Sequence, residues 1–247
     1  MNCCIIIPHY KHDQLFARFL PKLLTLDLPC IVVDDGSDPD TQARLSDLLA
    51  AYPQVHLFQH HTNRGKGAAV ITACYHARAM GFSHVLQLDA DGQHNIDDAT
   101  QLLDYAKVHP HTIVCGRPFF DESAPKVRVY GRKVTDFWVA FESLSFQIKD
   151  GLCGFRIYPL QAMETVIDNY YIGPRMDFDP EILVKAAWAN IDMHFIPTKV
   201  IYHADPVSHF NYLRDNLQMI RLHVRLIAGM LIRLPKLLYQ RFKAVTS

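Results

Sequence analysis

Net charge is the first thing this 247-residue chain lacks: 25 Lys and Arg balance 25 Asp and Glu. A role as a polyelectrolyte coat for nucleic acid therefore gets no support. No uncharged apolar run approaches the ~20 residues that a bilayer-spanning helix needs. The opening run, Cys3 to Ile7 before Pro8, is too short for a secretory signal and lacks its basic start, so a cytoplasmic protein is expected. None of the six cysteines, at 3, 4, 30, 74, 115 and 153, has C-x-x-C spacing; buried free thiols in a reducing compartment are expected. The 14 histidines match no H-E-x-x-H or Cys/His zinc spacing. A G-x-S-x-G nucleophile elbow is absent, and so is any internal repeat. Gly65-Lys66-Gly67 opens a helical pattern, where anions are attracted. A dinucleotide fingerprint would need glycine where Val70 stands, and a Walker A loop would need Gly at His60 and Ser or Thr at Gly67.

What is present is alternation. Cys3–Pro8, Cys30–Asp34, Val55–Gln59, Val85–Asp89 and Thr112–Gly116 read as strands, rich in β-branched residues and bounded by turn residues. Helical patterns lie between them, at about 12–26, 40–51, 66–80 and 97–108. Strand–helix–strand spacing of this kind predicts right-handed crossovers and an α/β fold with a mainly parallel, Rossmann-like sheet flanked by helices. Val129–Phe146 reads as an aromatic-rich helix, Asp150–Pro159 as a loop entering a short strand, and Pro180–Asn190 as a helix. Met193–His203 reads as a strand interrupted at Pro197, and a long helical pattern follows Ser208, with a possible break at Pro235. The expected division is one domain over 1–210 and a helical segment over 211–247.

Ligands of open parallel sheets bind beyond the carboxyl ends of the strands. The residues just after the strands are Pro8-His9-Tyr10, Asp34-Asp35-Gly36-Ser37, Asp89-Ala90-Asp91-Gly92-Gln93 and Gly116-Arg117. Asp89 and Asp91 are the sharpest pair. Residues i and i+2 of an extended chain point the same way, and two carboxylates so placed repel unless a cation lies between them or both reach water. Hard oxygen ligands suit Mg²⁺ or Mn²⁺ together with phosphate oxygens, and Gln93 adds a neutral oxygen. The expectation is a metal that holds a diphosphate.

The order strand–Pro8-x-Tyr10, Val-Val-Asp34-Asp35-Gly-Ser, Asn63-x-Gly65-Lys66-Gly67, then Asp89-Ala-Asp91-Gly-Gln93, over about residues 3–210, resembles the family 2 inverting glycosyltransferases of GT-A fold. Asp150-x-x-x-Gly154-Phe155-Arg156, followed by Phe178-Asp179-x-Glu181, is similar to the polyprenyl-phosphate mannosyl- and glucosyltransferase branch. The resemblance implies a nucleoside-diphosphate sugar as donor. It places Pro8, Tyr10, Asp34 and Asp35 around base and ribose, Lys66 and Arg117 by the diphosphate, and Asp89, Asp91 and Gln93 on the metal. Catalysis would rest on Asp91, Arg117 and Asp179, the last as the general base of members that glycosylate hydroxyls. Asp179 also directly precedes Pro180, which suits an N-cap. Asp150, Arg156, His203 and His209 are acceptor-side candidates; Asp150 and Arg156 read equally as a buried pair bracing a loop. Lipid-phosphate enzymes of this kind commonly end in Arg-x-x-Gly-x-Ser-Lys, where this chain has His203-Ala-Asp-Pro-Val-Ser208-His209. The acceptor therefore stands open between a lipid hydroxyl and a polyprenyl phosphate.

From Arg214 to Lys243 seven basic residues face one acid, Asp215. Arg214, Arg221, Arg225, Lys236 and Lys243 share one side of a helical wheel if Pro235 keeps the register. Such a helix suits the anionic inner face of a cytoplasmic membrane, or packs on the body of the protein. Two other readings compete: a nucleotide-sugar-binding protein that recruits partners to membrane without turnover, and a sugar-nucleotide nucleotidyltransferase. The second lacks the Gly-rich basic loop expected after the first strand.

Overall fold

The computed structural model describes residues 1–119, 126–200 and 212–246, with the side chains of 126–129, 212–215 and 244–246 left out. Strands β1 (Cys3–His9), β2 (Cys30–Asp34), β3 (Val55–Gln59), β4 (His84–Gln87), β5 (Ile113–Phe119), β6 (Arg156–Pro159) and β7 (Met193–Lys199) form one sheet in the order β3-β2-β1-β4-β6-β5-β7. All pairings are parallel except those of β6, which runs antiparallel between β4 and β5. Chain direction along the sheet reverses at the β1/β4 junction, which opens a crevice beyond those strand ends.

The central strands are apolar on both faces because both are covered. Along β1, Cys4 and Ile6 join one core layer, while Cys3, Ile5 and Ile7 join the other, the period-2 alternation of a strand. The second layer is closed by α1 (Asp13–Leu24), α2 (Pro39–Leu49) and α4 (Ala99–Val108). The first is closed by α3 (Lys66–Ala79), α5 (Lys126–Ser143), α6 (Leu160–Asn169), α7 (Phe178–Trp188) and α8 (Tyr212–Thr246). The start of α2 is set by Asp38, whose carboxylate accepts the Thr41 N–H at 3.0 Å, with Pro39 in the first turn.

The expected α/β architecture is present, with five corrections. The fourth strand ends at Gln87, so Asp89 lies two residues past it. Helix α6 was not expected from the sequence. Pro197 does not interrupt β7: it sits opposite Arg117 in the register of an edge strand, where a missing N–H costs no ladder bond. Helix α7 begins at Phe178, so Asp179 lies inside the first turn and Asp177 occupies the cap position. Helix α8 runs unbroken through Pro235, an exposed position. All six cysteines are free and buried, as expected; burial pushes the Cys3, Cys74, Cys115 and Cys153 thiols up to about 12.

Helix α8 is not a detached tail. Leu222, Leu226, Met230 and Leu237 are buried in the first core layer. Its bases divide: Arg225, Arg233 and Arg241 turn toward the body, where Arg241 donates to Ser143 O and Arg233 lies over Trp188, while Arg221, Lys236 and Lys243 are exposed.

Candidate active site

The Asp34-Asp35-Gly36-Ser37 run after β2 serves first to build the crevice wall. Asp34, fully buried, accepts from Ser37 N–H at 3.0 Å, Ser37 Oγ at 2.5 Å and Gln42 Nε2 at 3.1 Å, and shares a 2.9 Å bond with His9 Nδ1. Burial alone would raise this carboxyl, but the bonds from His9, Ser37 and Gln42 outweigh it and hold it at about 2. Asp35 accepts the backbone N–H groups of Arg64 and Gly65 at 2.9 and 2.7 Å and meets His60 Nδ1 at 2.7 Å. It thereby fastens the Asn63–Gly67 turn that starts α3. Gly36 is required there: its φ is +69°, and an added Cβ would lie 2.3 Å from the Thr62 backbone. Pro8 and Tyr10, at the end of β1, are half-buried at the crevice edge.

The turn aims Lys66 at the end of β4. Its ammonium lies 2.8 Å from Asp89 Oδ1 and 2.8 Å from Asp179 Oδ2. Burial would lower this amine, but the Asp179 and Asp89 charges outweigh burial and raise it. Asp89 follows the same logic in reverse: burial would raise it, yet Lys66, with His94, drives it well below the usual carboxylate range. His94 Nε2 is 3.5 Å from Asp89 Oδ2, and its ring tilts against Phe155 at 5.2 Å. The Asp89 side chain is 27% exposed and that of Asp179 4%, so Asp89 faces the open crevice and Asp179 closes its floor. Asp91 accepts the Gln93 N–H at 3.0 Å and is partly exposed beside Asp89.

Asp179 sits on a helix of which every residue is buried, where a charge must be paired. Besides Lys66, it accepts from Gln87 Nε2 at 3.4 Å. Arg156 Nη1, fully buried, donates to the Asp179 main-chain oxygen at 2.8 Å and to Tyr158 Oη at 3.0 Å, and Nη2 donates to Gly151 O at 3.0 Å. Arg156 and Asp150 do not pair with each other. Asp150 accepts Leu152 and Cys153 N–H at 2.9 and 2.7 Å and pairs with Arg132 of α5. Both residues brace the 150–154 loop, which brings Gly154 against the cluster: an added Cβ would lie 2.9 Å from Asp89 Oδ2 and from Lys66 Nζ. Asp136 of α5 accepts the Gly151 N–H at 3.3 Å. Burial, reinforced by Asp150, pushes its carboxyl up to about 6 against the pull of Arg132 and Arg117.

The structure thus brings Asp89, Asp91, Lys66, Asp179 and Arg156 together. Arg117 is exposed on β5, and its charge is felt at Asp136. His203 and His209 lie outside the described residues. Gln87, His94, Arg132 and the Lys66 bridge were missed in the sequence; an amide inside the apolar run Val85-Leu-Gln87-Leu was the one visible signal.

The donor set fits a hard divalent cation. Asp89 and Asp91, both partly exposed, offer carboxylate oxygens and Gln93 an amide oxygen, and the remaining positions are left to phosphate oxygens. Among the described residues no group of three or more His, Cys, Asp or Glu is arranged to hold a metal ion by itself, so diphosphate would have to complete such a sphere.

Sheet order, the crevice at the β1/β4 switch point and the acidic pair beside it define an α/β protein of the GT-A type. The family model for glycosyl transferase family 2 matches residues 4–169, and the chain belongs to that family. It is 32% identical over 184 residues to dolichyl-phosphate beta-glucosyltransferase ALG5C of Trichomonas vaginalis, covering 68% of this chain and 51% of that one. To the polyprenol monophosphomannose synthase of Mycolicibacterium smegmatis it is 36% identical over 168 residues, covering 66% and 63%. The chain spans between half and two-thirds of the length of these curated relatives. Among solved structures, the mannosyltransferase PcManGT of Pyrobaculum calidifontis, in complex with GDP-Man and Mn²⁺, superposes with a TM-score of 0.61 at 17% identity, covering 90% of this chain and 62% of that one. That likeness is one of fold.

Proposed function

We propose that this chain transfers a sugar, with inversion, from a nucleoside-diphosphate sugar to a polyprenyl phosphate. The observation that carries the acceptor is the engagement of Asp179. Its carboxylate is buried, bridged by Lys66 to Asp89 and bonded by Gln87. With Oδ2 taken by Lys66 at 2.8 Å, Oδ1 by Gln87 at 3.4 Å and the side chain only 4% exposed, this carboxylate is poorly placed to take a proton from a hydroxyl acceptor. A hydroxyl acceptor needs a base; a phosphate is already an anion. One of its oxygens forms the bond to the anomeric carbon, the bond from that carbon to the diphosphate breaks, and the nucleoside diphosphate leaves with the electron pair. No proton has to move. The printed names of the two relatives, a dolichyl-phosphate and a polyprenol-monophosphate enzyme, support the same reading.

On the donor side, Asp89, Asp91 and Gln93 would hold Mg²⁺ or Mn²⁺. The metal supplies neutralisation of charge on the leaving diphosphate. Arg117 adds a guanidinium suited to diphosphate oxygens, and Pro8 and Tyr10 line the edge on which base and ribose would rest. Asp34 and Asp35 hold that edge in shape through His9, Ser37, His60 and the 63–67 turn.

A lipid acceptor calls for a membrane surface, and α5 with α8 offers one. Tyr130, Val134, Phe137 and Phe141 recur on one exposed stripe of α5, and Ile220, Val224, Leu231 and Leu238 are exposed on α8, each at least 45% accessible. Lys133, Arg221, Lys236 and Lys243 are exposed on the same two helices, and no acidic side chain is exposed among those described there. Large apolar side chains ringed by cations suit an anionic lipid interface. No described helix is long and apolar enough to cross a membrane, so the attachment we infer is peripheral. It lies on the cytoplasmic face, the side on which charged sugar nucleotides are made.

The test is release of UDP or GDP from a panel of sugar nucleotides with Mn²⁺ or Mg²⁺, offering either undecaprenyl phosphate or a hydroxyl-bearing lipid. Turnover with the phosphate, lost in Asp91→Ala, is expected. Turnover with the hydroxyl lipid alone would overturn the acceptor assignment. Metal-dependent nucleotide binding without turnover on either acceptor would favour a recruitment role.

A further inference from the structure

The buried charges that the transfer reaction does not use lie on the far side of α7. Glu181 is fully buried, and its carboxylate turns away from Asp179. It accepts from Arg225 Nε at 3.1 Å, from Arg225 Nη2 at 2.8 Å and from the Gly173 N–H at 2.6 Å, and it pairs with Lys185. Asp177 accepts from Arg225 Nη2 at 3.3 Å, from Gln218 Nε2 at 2.6 Å and from the Arg175 N–H at 3.2 Å. Arg225 and Gln218 belong to α8; the groups they grip belong to α7 and the loop before it.

That loop is wedged against the active-site turn. Pro174 O accepts the Ala68 N–H at 2.9 Å, and Arg175 Nη1 donates to Asn63 Oδ1 at 3.1 Å. An added Cβ on Gly65 would meet Pro174 O at 2.4 Å, and one on Gly67 would meet Gly173 O at 2.7 Å. Neither glycine leaves room for a side chain, so the loop and the turn have no slack between them. Lys66 stands between those two glycines, with its ammonium on Asp89 and Asp179.

We propose that Arg225 is a positioning residue for the active site: from α8 it fixes the 173–177 loop, which fixes the 63–67 turn and therefore Lys66. The idea rests on the functional reading above and adds a part for the C-terminal helix, whose outer face is the lipid surface inferred there. The clamp is balanced in charge, two carboxylates against Arg225 and Lys185. Without Arg225 a buried carboxylate is left uncompensated, and the 173–177 loop loses its anchor on α8.

Backbone hydrogen exchange over 63–70 and calorimetric binding of UDP- and GDP-sugars with Mn²⁺ test this, on the full chain of wild type, Arg225→Gln, Arg225→Lys and the charge-balanced Glu181→Gln/Arg225→Met. In Arg225→Gln, exchange over 63–70 should speed at least tenfold while β1 and β2 stay protected. Sugar-nucleotide Kd and KM should rise at least tenfold, with kcat changed less than threefold. Arg225→Lys should recover part of both effects. The charge-balanced variant keeps the fold and should still show the fast exchange. Unchanged exchange over 63–70 in both Arg225→Gln and the charge-balanced variant would overturn the coupling. So would fast exchange with unaltered donor binding. If wild type binds no sugar nucleotide, the functional reading fails instead, and the exchange data still judge the mechanical link.

Discussion

Replacing Lys66 by Met leaves the shape of the chain nearly intact and removes the cation between two carboxylates. Each of those carboxylates has an oxygen 2.8 Å from the ammonium, so the two oxygens are no more than about 5–6 Å apart. At an effective dielectric near 20, unit charges at that separation repel by about 3 kcal/mol. Protonating one of them at pH 7 would cost about 4 kcal/mol from an ordinary carboxylate pKa, so at neutral pH both remain charged and the strain stays. For a chain of this size, about 3 kcal/mol corresponds to a fall in Tm of roughly 6–12 °C. At pH 5 the protonation cost drops to about 1.4 kcal/mol, and about half of the deficit should vanish. Mn²⁺ should restore the variant as well, because a cation at Asp89 and Asp91 replaces the lost charge: at 100 times Kd it returns about 2.7 kcal/mol. Thermal unfolding at pH 5 and 7, with and without Mn²⁺, measures all of this. A variant whose Tm at pH 7 matches wild type within 2–3 °C, and which gains no more from Mn²⁺ than wild type does, would refute the bridge as an electrostatic element. Transfer activity should fall at least tenfold, the usual size for losing one electrostatic group in such a site.

Three further outcomes follow from the same geometry. Gly154→Ala places a methyl 2.9 Å from both Lys66 Nζ and Asp89 Oδ2, so turnover should drop at least tenfold with a stability loss of about 1–3 kcal/mol; wild-type kinetics would show that the loop is looser than drawn. Asp136 holds its proton more tightly in the folded chain, with its carboxyl at about 6. Its contribution is therefore present at pH 4 and lost as pH rises through 6. Asp136→Asn should match wild type near pH 4 and exceed it by about 1–2 kcal/mol at pH 7.5, after allowance for partial burial, as read by urea midpoints; a difference independent of pH would count against the assignment. Phe137→Asp with Phe141→Asp, on the exposed stripe of α5, should abolish sedimentation with anionic vesicles while leaving the Tm within a few degrees; vesicle binding that persists would move the lipid surface elsewhere.

The central strands of the first half were legible because burial on both faces forces unbroken apolar runs such as Cys3–Ile7 and Cys30–Val33. Helix α6 was not, since Leu160–Asn169 follows β6 directly, with Pro159 in the cap position and no side-chain cap to mark the start. The antiparallel insertion of β6 was also hidden: four residues carry too little pattern to give a direction, and only pairing with both β4 and β5 reveals it. Helix α8 showed its amphipathicity but not its orientation. A helical wheel gathers Arg221, Arg225 and Lys236 on one side, yet Arg225 turns inward because Asp177 and Glu181 wait on α7, and nothing local to α8 shows that.

The active site divides along the same physical line. The half proposed to hold the metal is local: Asp89, Asp91 and Gln93 lie within five residues, so their spacing is visible in the sequence. The other half is assembled by contacts across 25 to 113 residues, as with His9 on Asp34 and Lys66 on Asp179. Each of these residues has an ordinary explanation in its own neighbourhood. Lys66 reads as a helix-start cation and Asp179 as a helix-start acid, and both readings are locally true. What changes their meaning is burial: α7 is enclosed on all sides, so its carboxylates must find cations, and Asp179 and Glu181 take theirs from opposite directions. Lys66 comes to Asp179 from the donor turn, and Arg225 comes to Glu181 from the C-terminal helix. One buried turn of α7 thus ties donor site and outer helix to the same backbone. A change on either side that leaves one of these acids unpaired should be felt on the other.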